Sequence, residues 1–184
     1  MELTNYGITL RRLTEDKIEM VRQWRNDPKI QQYMEFRDYI TPEMQAAWFK
    51  RIDNDNNYYF IIVYEGKEIG LANIKDIDYN SGIGEPGMFI YEDIYWDSDV
   101  AIRALLCMND FMWHTLKLKK SIIHVMQNNI RAIKFNLFLG YKLDAGQENV
   151  MNQLYTLTYE ESQSNQKLNN IRKILIKQHN YEIK

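Results

Sequence analysis

The residues from Gly84 to Tyr141 constrain this chain more than any other part of it. They read as a strand (GEPGMFIYED), a loop (IYWDSD), a helix (VAIRALLCMNDFMWH), a second strand (KKSIIHVM) and a second helix (NNIRAIKFNLFLGYK). In the first helix Val100, Ala104, Cys107 and Phe111 fall in one row and Ala101, Leu105, Met108 and Met112 in the next. Such a repeat gives an apolar face broad enough to lie on a sheet. Ile122 to Val125 then make a short β-branched run, and the second helix opens on Asn129, a natural cap, and closes on Gly140, a natural stop. A strand that feeds a helix and returns as a parallel strand must be covered by that helix. The order predicts a helix N-terminus at the mouth of a sheet, where backbone N–H groups can hold an anion.

With 184 residues, 45% hydrophobic and 26% charged, the chain suits a single domain over 1–184, with residues 161–184 a helical C-terminal extension. A net charge of −2 argues against non-specific nucleic-acid binding, which needs a basic surplus. The one cysteine, Cys107, excludes an intrachain disulfide and fits a reducing, cytoplasmic compartment. It lies on the apolar helix face and reads as core rather than nucleophile. The absence of a run of ~18 apolar residues, or of an N-terminal apolar segment with a basic flank, predicts neither membrane spanning nor export. No metal-ligand pattern stands out. Thirteen Tyr, seven Phe and four Trp exceed what a core this size needs, and they would also suit a pocket for a ring-shaped ligand.

Upstream, Tyr6–Leu13 reads as a first, edge strand, and Thr14 as the cap of a helix through Met20, Val21 and Trp24. A short helix after Pro28 carries Ile30, Tyr33 and Met34, and Thr41-Pro42-Glu43 starts a third, through Met44, Trp48 and Ile52. Tyr58–Tyr64 is a continuous apolar run, predicting a central strand buried on both faces. Glu68–Asp78 and Gly84–Tyr91 complete a meander; Gly87 suggests a bulge or a close ligand approach. Leu143 ends a short strand, and Met151–Tyr159 is a convincing last strand. From Ser162 on, Leu168, Ile171, Ile174 and Leu175 are spaced for a helix that serves as a lid on the core or a homodimer contact.

The Gly84–Tyr141 block resembles the acetyl-coenzyme A half of the GNAT superfamily of N-acetyltransferases. The likeness rests on Asn129-x-x-Ala132 followed by Leu139-Gly140-Tyr141, and on Tyr95-Trp96 before a helix. Compatible features run from about Tyr6 to Tyr159. The resemblance implies an α+β fold: a central mixed, mostly antiparallel sheet, splayed at one parallel strand pair, with helices on both faces and here an extra C-terminal helix. It implies acetyl-CoA as co-substrate, its arm between Met88–Tyr91 (Met88, Phe89, Ile90) and Ile122–Val125. Its pyrophosphate would lie at Ser98, Asp99, Val100 and Ala101, and Asn129, Ala132 and Asn136 would line the rest. Two positions depart from the family pattern. Asp99 stands for the first glycine of the phosphate loop, where it reads as a helix cap. Asn136 stands where a tyrosine commonly protonates the leaving thiolate, which an amide cannot do.

Acetylating an amine needs a neutral amine, a polarised thioester carbonyl and an outlet for protons. Backbone N–H groups of the splayed strand can polarise the carbonyl. Glu85 is the first candidate for the base, its other reading being an exposed strand-end acid; Asp76 and Asp78 are weaker ones. His124 faces the cofactor or is a hydrogen-bonded strand histidine. Trp24-Arg25-Asn26-x-Pro28-x-Ile30 is similar to a GNAT subgroup acting on nucleotide-linked amino sugars, including the pseudaminic-acid pathway enzyme. That likeness makes Arg25, Tyr33, Met34 and Trp48 the acceptor-binding candidates. Arg25 suits a phosphate or carboxylate, or a structural ion pair. The acceptor is thus a small-molecule amine; alternatives are a protein N-terminus, as in the ribosomal-protein branch, a polyamine, or a GNAT-fold module that binds without turnover.

Overall fold

The computed structural model describes residues 1–182, so the last two residues of the C-terminal extension lie outside the described residues. β1 (Glu2–Asn5) and β2 (Ile8–Arg12) form a hairpin that turns at Tyr6 and Gly7, with φ of 55° and 73°. Two left-handed residues in a row match the twist of an antiparallel ribbon. The one strand expected over Tyr6–Leu13 is therefore half of a hairpin, and the edge is β1.

α1 (Ile18–Asn26) follows a 3-10 turn at Glu15–Lys17. Thr14 does not cap it: its hydroxyl donates to Asp16 at 2.6 Å, and no backbone N–H reaches it. α2 (Pro28–Gln31) is shorter than the periodicity suggests, because Asp27 caps it and it ends before Tyr33 and Met34, which lie in the following turn. α3 (Pro42–Ile52) starts as expected, with Thr41 accepting from the Met44 N–H at 3.2 Å.

β3 (Tyr58–Tyr64), β4 (Lys67–Asp78) and β5 (Ile83–Ile90) form the antiparallel meander. α4 (Val100–Asp110), extended by a π turn at Phe111–Thr115, crosses over to β6 (Lys120–Met126), which is parallel to β5. α5 (Ile130–Leu139), β7 (Lys142–Leu143), β8 (Asn152–Thr158), α6 (Tyr159–Ser164) and α7 (Gln166–Glu182) complete the chain. Among the described residues eight strands run in the order β1-β2-β3-β4-β5-β6-β8-β7, with β5–β6 the one parallel pair.

β3 shows why its sequence does not alternate. Phe60 and Ile62 join the core beneath α4, while Tyr59, Ile61 and Val63 pack with Val21, Trp24 and Ile52 of α1 and α3 on the opposite face. A strand covered on both faces needs apolar residues at both parities. The larger core also takes in Leu168 and Leu175 of α7. Gly87 makes no bulge; it pairs with Asn73 in regular register, and the slip falls between Lys75 and Asp78, where Asp76 adopts φ 52°.

Candidate functional site

β5 and β6 pair at only two positions, Ile83 with Lys120 and Gly84 with Ser121, and then part. β6 goes on pairing with β8 through Met126, and β5 with β4 through Ile90, so each strand keeps one partner and loses the other. Tyr91 N–H bonds the Ile69 carbonyl at 2.7 Å. By the alternation of an antiparallel ladder, the N–H groups of Met88 and Ile90 then point into the gap, unpaired. Pro86 occurs at the same parity, where a missing N–H costs no ladder bond. The gap is a slot with exposed donors on one wall, and a ligand amide or a thioester carbonyl can use them.

Two helix N-termini frame the slot. Trp96 ties the first to the sheet, its indole N–H donating to the Ile90 carbonyl at 2.9 Å. Ser98 then caps α4: its hydroxyl accepts from Val100 N–H at 3.2 Å and donates to the Tyr95 carbonyl at 2.7 Å. Asp99 is not the cap. Its backbone is already helical (φ −80°, ψ 0°), whereas a capping residue is extended. Its carboxylate instead meets Arg103, 2.9 Å away one turn on. Ala101 offers little side-chain bulk at this end, and Val100 is buried. At the second N-terminus Asn129 caps α5, accepting from Ala132 N–H at 3.1 Å, and Gly140 ends it at φ 101°. Asn136 turns back along its own helix and donates to the Ala132 carbonyl at 2.9 Å. Arg131, which the motif left unassigned, donates to the Trp96 carbonyl and lies 3.2 Å from Asp97, linking the two helix starts.

On the α1–α3 face of the sheet, Glu85 stands where the strands begin to part. Its side chain is only 14% exposed. One oxygen accepts from the Lys75 ammonium at 2.9 Å, and the other lies 3.1 Å from His124 Nδ1 across the fork. Burial works against the Lys75 charge, but its bonds to Glu85 and Asp76 outweigh that and raise its pKa. Of the two weaker candidates, Asp76 bonds Lys75 at 3.0 Å, while Asp78 is spent on its own turn, accepting from Ser81 at 2.6 Å.

Tyr59 lies beside this group. Burial raises its pKa, and the charges of Lys75, Asp76, Arg25 and Glu85 all reach it. Trp48 packs edge-on against Tyr59, with centroids 5.1 Å apart, and Trp24 stacks on Tyr91 at 5.4 Å. Arg25 of α1 is half-buried, desolvation lowers its pKa, and it makes no ion pair among the described residues. The structural ion pair is therefore absent there. Tyr33 is exposed and Met34 half-buried in the turn after α2, outside the core cluster that Trp24 and Trp48 share. The structure thus brings Arg25, Trp48 and Glu85 to one face, and leaves Tyr33 and Met34 at its outer edge. A cavity of about 360 Å³ between α1 and Tyr39 is lined by Arg22, Asn26 and Asp27, and none of the fork residues borders it.

Among the described residues no group of three His, Cys, Asp or Glu could hold a metal ion, and no helix is long and apolar enough to cross a membrane.

A family model described as Acetyltransferase (GNAT) domain matches residues 8–142. An uncharacterized protein of Methanocaldococcus jannaschii is 23% identical over 146 residues; these are 77% of this chain, which spans only 30% of that relative's length. The acetyltransferase PseH of Campylobacter jejuni is 22% identical over 122 residues, 66% of this chain and 74% of PseH. Among solved structures, apo FdhC, described as a nucleotide-linked sugar GNAT, superposes with a TM-score of 0.76. It is 23% identical, and the match covers 94% of this chain and 97% of FdhC.

Proposed function

The chain belongs to the GNAT acetyltransferase family, and from that premise we propose that it moves the acetyl group of acetyl-coenzyme A onto the primary amine of an anionic small molecule, a nucleotide-linked amino sugar. The observation that carries this reading is Arg25, a half-buried arginine with no anionic partner among the described residues, whose charge reaches Tyr59 together with that of Glu85. A charge partly withdrawn from water gains from an anionic partner. A planar fork of donors fits a phosphate or carboxylate better than any other ligand group.

The rest of the site is compatible with acetyl-coenzyme A as co-substrate. Met88, Phe89 and Ile90 form the wall whose free N–H groups would take the pantetheine amides and polarise the thioester carbonyl. Ser98, Asp99, Val100 and Ala101 would lie along the pyrophosphate, at a helix start whose Ala101 and Ile102 N–H groups have no backbone partner outside the helix. Asn129, Ala132 and Asn136 would line the opposite wall. The acid–base group of the transfer is centred on Glu85. The acceptor would enter over α1 and α3, with its anionic part on Arg25 and its ring against Trp48, Tyr33 and Met34.

A polyamine fits this face less well. The carboxylates Glu85 and Asp76 are both already paired with Lys75, and Arg25 adds a second cation. The test is release of free thiol from acetyl-coenzyme A with three acceptors: a uridine-diphosphate-linked 4-amino sugar, a peptide with N-terminal serine, and spermidine. Turnover with the sugar nucleotide, and a KM for it raised at least about tenfold in Arg25→Ala, is expected. Turnover confined to spermidine or to the peptide would overturn the acceptor assignment.

A further inference from the structure

We propose that His124, rather than Glu85 itself, is the group that takes the proton from the acceptor amine, with Glu85 acting as the residue that positions it. The proposal rests on the reading of the fork as the site of acetyl transfer, and deepens it. Both Glu85 oxygens are already engaged, one by Lys75 at 2.9 Å and one by His124 at 3.1 Å. The Glu85 side chain is 14% exposed, whereas that of His124 is 39% exposed. An incoming amine therefore meets the imidazole more readily than the carboxylate.

The hydrogen bond also fixes the chemistry of the ring. A carboxylate paired with an ammonium can only accept, so Nδ1 must be the donor. In neutral imidazole that leaves Nε2 as a bare acceptor, and Nε2 has no partner among the described residues. A carboxylate behind a histidine, holding its tautomer and offsetting the charge it gains, is a general way to make imidazole a directed base. His124 lies on β6 where that strand has left β5, so its ring borders the slot instead of packing under a neighbouring strand.

The charged groups around it are few. Lys75 and Asp76 of β4 reach it through Glu85 of β5, Lys120 is on its own strand, and β8 presents Asn152, Leu154 and Thr156 opposite, none of them charged.

The step balances as follows. Nε2 removes a proton from the acceptor ammonium, giving imidazolium and a neutral amine. The amine lone pair bonds to the thioester carbonyl carbon. The tetrahedral intermediate collapses with cleavage of the C–S bond, whose electron pair stays on sulfur. A remaining N–H proton passes to that thiolate, through water where direct contact fails, and the imidazolium returns its proton to solvent. The sum is amide, free thiol and one released proton.

The test combines a measurement that needs no turnover with one that does. Nitrogen-15 spectra of histidine-labelled protein, with the His124 signals identified by their loss in His124→Asn, should show the Nδ1–H tautomer in wild type and a mixture in Glu85→Gln. The other tautomer in wild type would overturn the proposal, whether or not the chain acetylates any of the three acceptors. With an active acceptor, His124→Ala should lose about a hundredfold or more in kcat and regain part of it with added imidazole, with its resistance to urea unchanged. Glu85→Gln should fall by less and show no rescue. Full activity in His124→Ala, or a larger loss in Glu85→Gln than in His124→Ala, would return the proton to Glu85. Absence of thiol release with every acceptor would count against the transferase reading alone, leaving the tautomer to decide the role of His124.

Discussion

Asp99 and Arg103 face each other at 2.9 Å along the first turn of α4, and this pair decides how a carboxylate can stand at the helix start proposed for the pyrophosphate. Arg103 is itself anchored, donating to the Tyr6 carbonyl at 3.0 Å and to Gln178 at 3.2 Å, so the partner of Asp99 is fixed in place. An unpaired carboxylate 4–6 Å from a pyrophosphate would repel it by ~1–4 kcal/mol. A neighbouring guanidinium removes most of that.

The expected outcome is that Asp99→Gly changes the dissociation constant for coenzyme A by less than about threefold. Arg103→Ala should weaken binding about five- to tenfold at low salt and less at high salt, since part of the exposed repulsion is screened. Asp99→Gly in the Arg103→Ala background should restore it. Calorimetric titration of the four proteins checks this; a tenfold gain from Asp99→Gly alone would mean that the pair does not neutralise the loop.

Asn129 has a role that can be separated from ligand binding. Its side-chain oxygen is committed to the Ala132 N–H, so it holds the start of α5 before any ligand arrives. Asn129→Ala should lower stability by ~1 kcal/mol, the usual cost of losing a cap, while Asn129→Asp keeps the cap. Urea unfolding of both variants measures the first effect. If Asn129→Asp binds coenzyme A as wild type does, the amide nitrogen has no part in holding the ligand.

The elements of the fold were legible where one local signal dominated. The run Tyr58–Tyr64, the start at Thr41-Pro42 and the stop at Gly140 all appear where hydrophobic parity and capping chemistry put them. The Tyr6–Gly7 turn was missed because Tyr rarely takes positive φ, so only Gly7 signalled it. Thr14 and Asp99 are caps by residue type, but the Thr14 hydroxyl is spent on Asp16 and the Asp99 backbone is already helical, neither of which sequence displays. At the site, the slot follows from the strand–helix–strand order, but Lys75 and His124 become partners of Glu85 only through sheet register. Their positions, ten residues and 39 residues from Glu85, carry no periodic signal.

Cys107 should be silent in assays that detect thiols. Burial first, and the Asp110 charge second, push its thiol up to about 12 from 9.0. A raised pKa means that the buried neutral thiol favours folding fully below about 9, and that this contribution is lost as pH rises through about 12. A disulfide reagent at about pH 8 should therefore find no reactive thiol in native protein and one after denaturation. Rapid labelling of the native protein would show that α4 opens under those conditions.

The last helix is joined to the domain by chemistry that a surface appendage would lack. Leu168 and Leu175 are 4% and 3% exposed within the main core. Between them, Arg172 donates to the Tyr6 hydroxyl at 2.9 Å and pairs with Asp110, which also accepts from Tyr6 at 2.7 Å. The network joins the β1–β2 turn, the end of α4 and α7. Leu175→Ala removes a buried side chain and should cost ~2–4 kcal/mol. Arg172→Ala leaves the Asp110–Tyr6 bond in place and should cost less, ~1–3 kcal/mol. Neither residue borders the slot between β5 and β6, so the affinity of the folded variants for coenzyme A should match wild type. Chemical denaturation followed by coenzyme A titration separates the two effects. Loss of binding in a variant that remains folded would mean that α7 acts on the site, with Arg103 as the contact through which it does so.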